Sequence, residues 1–263
     1  MCQPVFPERA VSYVPSQYSG VMQNPTVGSD FSRNQQRLSG RAEMNPYEPE
    51  LGSLPNGDRD EEAVNKTGTT TIGIATENGV VIATDMRASL GGRFVSNKNV
   101  QKVEQIHPTA ALTLVGSVGG AQSFIRTLRA EVNLYEARSG EDMSMKALST
   151  LAGNFARGGP FLAINPILGG IDDDGSHVYS IDPAGGVMKD DYTITGSGLT
   201  VAYGTLEDRY EEDMSIDEAK KAAGAGIKAA AERDTGSGNG IYVATVTEDG
   251  VDITDYGLDE LDV

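Results

Sequence analysis

A glycine followed by three threonines, Gly68-Thr69-Thr70-Thr71, stands where the character of the chain changes. The residues up to the glycine are polar and turn-rich. Those after it are regularly patterned to the end. A cut between Gly68 and Thr69 is the event that such a boundary suggests. It would make Thr69 N-terminal and put a hydroxyl nucleophile and a free amine on one residue. An α-amino group titrates near pH ~7.7–8.0, so part of it is neutral in the cell and can take the hydroxyl proton. Nearby positive charge would lower that value further. Taken alone, the threonine run also reads as a plain β-branched edge strand.

Other side chains offer less. His107 precedes a proline in a turn, and His177 starts a strand. No His-Cys-carboxylate cluster has metal-ligand spacing, so no metal and no cofactor is expected. Asp172-Asp173-Asp174-Gly175 lacks the downstream glutamate of a calcium loop and reads as a turn. No glycine-rich loop ends in Lys-Ser or Lys-Thr, so this chain should not hydrolyse ATP.

Composition narrows the class. The chain has 263 residues and a net charge of −17. Residues 1–68 carry 6 basic and 9 acidic side chains, and the remainder carries 15 and 29, so −14 belongs to the patterned part. Such a surface repels nucleic acid and anionic membrane. It suits a salt-rich cytoplasm, where screening suppresses self-repulsion. No run approaches the ~18 apolar residues of a membrane span. The N-terminus shows no secretory signal. Cys2 is the single cysteine, so no disulfide can form within the chain. A cytoplasmic protein is expected.

The elements that must position Thr69 can be read from periodicity. Residues 1–68 form an expected disordered leader, removed by the cut. The domain is 69–263, with a short acidic tail. Thr69–Thr76 and Val80–Thr84 read as strands joined by an Asn78-Gly79 hairpin turn. Met86–Arg93 reads as a loop before a short strand near Phe94-Val95. Lys102–Ile106 and Ala111–Val115 form a strand pair. Helices come next at Gly119–Arg138, with Phe124, Leu128, Val132 and Tyr135 on one face, and at Met143–Arg157, with Met145, Leu148, Leu151 and Phe155. Strands resume at Leu162–Ile171, His177–Ile181, Gly186–Lys189 and Tyr192–Thr195. A helix over Leu199–Glu212 is succeeded by another, from a Ser215/Glu218 capping box to Arg233. Strands Ile241–Thr247 and Val251–Tyr256 close the chain. Hairpin-joined strands between two helix pairs predict an α+β fold: a four-layer αββα sandwich of two antiparallel sheets. A one-sheet α+β domain stays open on periodicity alone.

The motifs sharpen this reading. Gly68-Thr69-Thr70-Thr71-Ile72-Gly73-Ile74, Ala83-Thr84-Asp85-Met86-Arg87-Ala88-Ser89 and Asn99-Val100-Gln101-Lys102-Val103 occur in order. Gly116-Ser117-Val118-Gly119-Gly120-Ala121, Thr195-Gly196-Ser197-Gly198 and Arg233-Asp234-Thr235-Gly236-Ser237-Gly238 continue the series. Together they closely resemble the β subunit of the archaeal-type 20S proteasome, with the acidity of a halophile's protein. The resemblance runs from Thr69 to about Tyr256 and leaves out the leader. Thr70 and Thr71 read as plain strand.

The resemblance implies a threonine endopeptidase with the N-terminal-nucleophile hydrolase fold. It implies that Thr69 is the nucleophile, freed by autocatalytic cleavage after Gly68. Lys102 then lies beside its hydroxyl, Asp85 holds Lys102, and Ser197, Asp234 and Ser237 orient the amine. The Gly116 N–H is the implied oxyanion donor. Ala88, Val100, Leu114 and Val118 are the implied substrate pocket, and Ser89 pairs with the substrate backbone. An apolar floor at Leu114 favours cleavage after hydrophobic residues, while Glu104 would admit basic ones. The implied partners are other β subunits in a seven-membered ring, α-subunit rings, a separate ATP-dependent unfolding ring and unfolded protein substrates. A non-catalytic ring subunit and a small-amide hydrolase of the same fold are the alternatives.

Overall fold

A computed structural model describes residues 68–157 and 164–261. The expected disorder of the leader lies outside them. The elements run β1 (Thr70–Thr76), β2 (Gly79–Asp85), β3 (Ala88–Leu90), β4 (Phe94–Asn97), β5 (Val103–His107), β6 (Ala110–Thr113), α1 (Val118–Ser139) and α2 (Met145–Arg157). They continue with β7 (Ile167–Asp172), β8 (Gly175–Ile181), β9 (Val187–Asp190), β10 (Tyr192–Gly196), α3 (Leu199–Leu206), α4 (Ile216–Arg233), β11 (Ile241–Thr247) and β12 (Gly250–Tyr256).

Two five-stranded antiparallel sheets form, in the orders β10-β1-β2-β11-β12 and β5-β6-β7-β8-β9. Neither sheet has a solvent face along its central strands, and strand alternation shows why. In β2, Val80 and Ile82 point into an apolar layer shared with Val178 and Ile167 of the other sheet. Val81 and Ala83 point the opposite way, into a layer with Ala223 and Ile227 of α4. In β6, Ala111 faces the inter-sheet layer, while Ala110 and Leu112 face Phe124 and Leu128 of α1. Three apolar layers therefore separate four structural ones, as the expected αββα sandwich requires.

The inter-sheet layer is tight. A Cβ built on Gly73 would lie 2.8 Å from Ile167 Cγ2 and 3.0 Å from Val178 Cγ1. The helices are capped as their sequences allow. Ser117 caps α1, and Ser215 with Glu218 forms the expected capping box on α4.

Several boundaries differ from expectation. The Met86–Arg93 loop contains β3, which pairs with β4 across a bulge. Leu162 and Ala163 of the expected Leu162–Ile171 strand lie outside the described residues, and β7 begins at Ile167, just after Pro166, which has no N–H for a ladder. The helix expected to reach Glu212 stops at Leu206, and Tyr210 instead packs its ring 4.5 Å from that of Tyr192. Tyr135 is exposed, and the buried face of α1 runs through Ala121, Phe124, Ile125, Leu128 and Val132. Leu151 and Phe155 are only partly buried, whereas Met145, Leu148, Ala152 and Ala156 face the core of α2. No helix among the described residues is long and apolar enough to cross a membrane.

Candidate active site

Antiparallel neighbours start and stop at the same end of a sheet, and that rule gathers the site. β1 begins just after Thr69, β2 ends at Asp85, β10 ends just before Ser197, and β11 begins just after the loop that carries Ser237. Asp234 is the C-cap of α4, at that same edge. Lys102 comes from the other sheet, one residue ahead of β5.

Asp85 is the centre. It has no exposed surface, and five donors converge on its carboxylate. Oδ1 accepts from Lys102 Nζ at 2.7 Å, from the Thr69 hydroxyl at 2.9 Å and from the Thr70 N–H at 3.0 Å. Oδ2 accepts from the Arg87 and Gly238 N–H groups, both at 2.9 Å.

Lys102 Nζ also donates to Thr69 Oγ1 at 2.5 Å. Burial pushes the Lys102 ammonium below its ordinary value, and Asp85 opposes that shift through its charge and its hydrogen bond. The threonine oxygen thus has its proton directed to Asp85 and a lone pair covered by a cation. A cation there stabilises an alkoxide and lowers the cost of deprotonating the hydroxyl.

A second network reaches the Thr69 nitrogen. The chain is continuous here, so that nitrogen is a peptide N–H, and it donates to Ser197 Oγ at 3.1 Å. Ser197 and Ser237 each give their one hydroxyl proton to Asp234 Oδ2, at 2.6 Å. Ser237 Oγ is then left to accept from the Thr70 hydroxyl at 2.7 Å. Glycines let these backbones meet. Gly196 sits at φ +101°, and a Cβ there would strike the Thr69 carbonyl oxygen. A Cβ on Gly68 would strike Gly236 Cα.

Thr69 and Lys102 open onto a cavity of about 350 Å³. Ala88, Val100, Leu114 and Val118, the implied pocket residues, line this cavity together with Gly116, the implied oxyanion donor. Gly116 has φ +93° and bridges to Ile164. Ser89 does not line the cavity. It is buried, and its Oγ accepts from the Gly68 N–H at 3.2 Å, on the leader side of the Gly68–Thr69 bond.

Three features escaped the sequence reading. Thr70 and Thr71 are more than strand: Thr70 bonds both networks, and Thr71 Oγ1 pairs with Thr195 Oγ1 at 2.8 Å. Arg87 anchors Asp85 through its N–H, while its guanidinium holds Asn239 and the Thr235 carbonyl. The cavity wall from α1 carries Gln122, Arg126 and Arg129. Their spacing from Val118 of four, eight and eleven residues was a visible helical stripe. Arg129 takes up Glu104 at 2.9 Å, so the acidic residue expected to admit basic side chains is already paired.

Comparison with known proteins gives the family. The family profile described as "Proteasome subunit" matches residues 65–246. A relative named "Proteasome subunit beta 1" from Haloarcula marismortui is 78% identical over 241 residues, 91% of this chain and 100% of its own. "Proteasome subunit beta" from Natronomonas pharaonis is 78% identical over 213 residues, 80% of this chain and 89% of its own. "Proteasome subunit beta 1" from Haloterrigena turkmenica is 71% identical over 235 residues, 88% of this chain and 96% of its own. The match of 241 residues is longer than the stretch from Thr69 to the C-terminus, so this likeness takes in part of the leader, contrary to expectation. The relatives come from halophilic archaea, as the acidic composition suggested. The chain belongs to the proteasome β-subunit family.

Proposed function

We propose that this family member is the catalytic β subunit of a 20S core particle, a threonine endopeptidase with Thr69 as its nucleophile. The observation that carries the reading is the buried triad at the Thr69 hydroxyl, with Lys102 Nζ at 2.5 Å and Asp85 Oδ1 at 2.9 Å.

The first turnover is on the chain itself. Thr69 Oγ adds to the Gly68 carbonyl carbon, the hydroxyl proton passes to the Thr69 nitrogen as the Gly68–Thr69 C–N bond breaks, and an ester on Oγ remains. Water hydrolyses that ester and leaves a free amine on Thr69. Lys102 stabilises the developing alkoxide, and Asp85 keeps Lys102 charged and in place. Residues 1–68 are the propeptide, and they block the amine until this step.

In the mature enzyme the amine takes over as base. Ser197 Oγ, held by Asp234, accepts one of its N–H bonds, which orients the nitrogen lone pair toward the hydroxyl. Thr69 Oγ then attacks a substrate carbonyl, the amine passes the proton to the leaving nitrogen, and an acyl-enzyme ester forms. Gly116 supplies an N–H to the oxyanion, a contribution of about 2.7–4 kcal/mol in comparable sites. Water completes the cycle.

Leu114, Val100, Ala88 and Val118 favour hydrophobic residues at the cleavage site. Arg126 and the Glu104–Arg129 pair disfavour basic ones. The β subunit works in a ring with α subunits in the 20S particle. A separate ATP-dependent ring unfolds the protein substrates, in the cytoplasm.

The test is the mature N-terminus. Particles assembled from the full chain should contain β chains that begin at Thr69 and should cleave peptides and unfolded protein. Thr69→Ala should assemble with the leader attached and no hydrolysis. Mature chains that begin upstream of Thr69, or an active Thr69→Ala particle, would overturn the proposal.

A further inference from the structure

Spacing along the chain offers no metal site, but the fold assembles a set of ligands that spacing cannot reveal. His107 ends β5, Glu136 lies near the end of α1, and Asp142 lies in the loop between α1 and α2. One ligand atom from each, the imidazole nitrogen and two carboxylate oxygens, all lie within 4.8 Å of one another. His107 Nε2 and Glu136 Oε1 are 3.0 Å apart. Two bonds of about 2.0–2.1 Å at tetrahedral angles place their donor atoms about 3.3 Å apart, so little movement is needed to admit an ion.

Two further observations point to a cation. The imidazole is 8% exposed, and its Nδ1 lies 3.1 Å from Thr109 Oγ1. That contact fixes the ring and aims Nε2 at the carboxylates, and Thr109 Oγ1 is placed to accept an Nδ1 proton, as a partner of a ligating histidine does. Charge is also unbalanced. Two carboxylates converge on one imidazole, and no Lys or Arg among the described residues pairs with either.

We propose that His107, Glu136 and Asp142 bind a divalent transition ion of the zinc class, with water completing a four-coordinate shell. One nitrogen and two oxygens suit zinc better than magnesium or calcium, which take oxygen ligands alone. Without the ion, the Thr109 N–H donates to Nδ1 at 3.2 Å, so Nε2 holds the ring proton and gives it to Glu136. With it, Nε2 binds the metal, and the proton sits on Nδ1 and points to Thr109 Oγ1. The ion would join the end of β5, the end of α1 and the loop leading to α2. Glu136 Oε1 already accepts the Met143 N–H of that loop at 3.4 Å.

The site is separate from Thr69, so its test uses binding and not hydrolysis. Full-length chain is titrated with Co²⁺ at fixed ionic strength and followed by the visible absorption of four-coordinate cobalt, then challenged with Zn²⁺. One saturable site, displaced by zinc and lost at least ~10-fold in affinity in His107→Gln and Asp142→Asn, is the expected result. Asp142 is exposed, so Asp142→Asn should keep the native circular dichroism even if His107→Gln folds poorly. Cys2→Ser should bind as the wild type does. Zinc should raise the melting temperature of the wild type and not of Asp142→Asn. No saturable site, or equal binding in Asp142→Asn, would overturn the proposal, as would loss of binding in Cys2→Ser alone.

Discussion

Asp85→Asn changes one oxygen into an amide and keeps the shape. Its cost can be worked from the five donors around the carboxylate. An amide nitrogen in the Oδ2 position faces the Arg87 and Gly238 N–H groups, and both lose their acceptor. In the Oδ1 position it faces the Thr69 hydroxyl, the Thr70 N–H and Lys102 instead. The first placement is the milder one, and it orphans one buried donor and one part-buried donor, at up to about 1–3 kcal/mol each. Lys102 also loses the charge that opposes its desolvation, and removing one partner of a buried pair costs about 3–5 kcal/mol. These terms overlap, so a loss of about 3–5 kcal/mol is expected, or roughly 6–20 °C in melting temperature for a domain of this size. With its counter-charge gone, Lys102 gives up its proton more readily, and the cation beside Thr69 Oγ disappears. Peptide hydrolysis should fall at least ~100-fold, and propeptide removal should slow with it. The assays are calorimetry, kcat/KM on a fluorogenic peptide, and intact mass of the β chain. The double variant Asp85→Asn/Lys102→Met separates the two effects. It should recover part of the stability, because no unpaired cation is buried, and none of the activity. An Asp85→Asn particle that is fully processed, with kcat/KM near that of the wild type, would refute the role given to Asp85.

Two further predictions address the fold and the pH response. Gly73→Ala forces a methyl against Ile167 and Val178 between the sheets, so a loss of about 1–3 kcal/mol is expected in denaturant unfolding, with activity per folded particle unchanged. A neutral outcome would mean the sheets are not packed that closely. Lys102 must be charged to act, and burial lowers its pKa from the ordinary value of 10.5. Between the lowered value and 10.5 the unfolded chain holds a proton that the folded chain has released, so stability from this group rises with pH there while activity falls. A kcat/KM profile that stays level to pH 10.5 would remove Lys102 from the mechanism.

Much of the fold was legible before any coordinates. Alternating apolar residues, turn pairs such as Asn78-Gly79 and the Ser215/Glu218 box are local signals, and local signals survive folding. Boundaries failed where a tertiary contact won. Tyr210 lies beyond the helix end with its ring tilted against that of Tyr192, while the start of β7 follows a local signal, Pro166. The roles proposed for Asp85, Lys102 and Ser237 rest on ordered motifs and the family they resemble, not on local pattern. Nothing in the spacing alone would have joined Thr69 to residues more than a hundred positions away.

The threonine run shows where the division falls. The sequence by itself determined that the chain is an acidic α+β protein, and it pointed to Gly68-Thr69 as a boundary where a threonine could act as a nucleophile. Those properties depend on composition and on neighbours within a few residues. The tertiary structure alone decided that Thr70 belongs to the site, that Ser89 holds Gly68 and that Arg129 neutralises Glu104. It alone brought His107 to Glu136 and Asp142. The physical reason is that a hydrogen bond or an ion pair requires contact within a few ångströms, and contact across a sandwich is set by strand order and register, which no local pattern encodes.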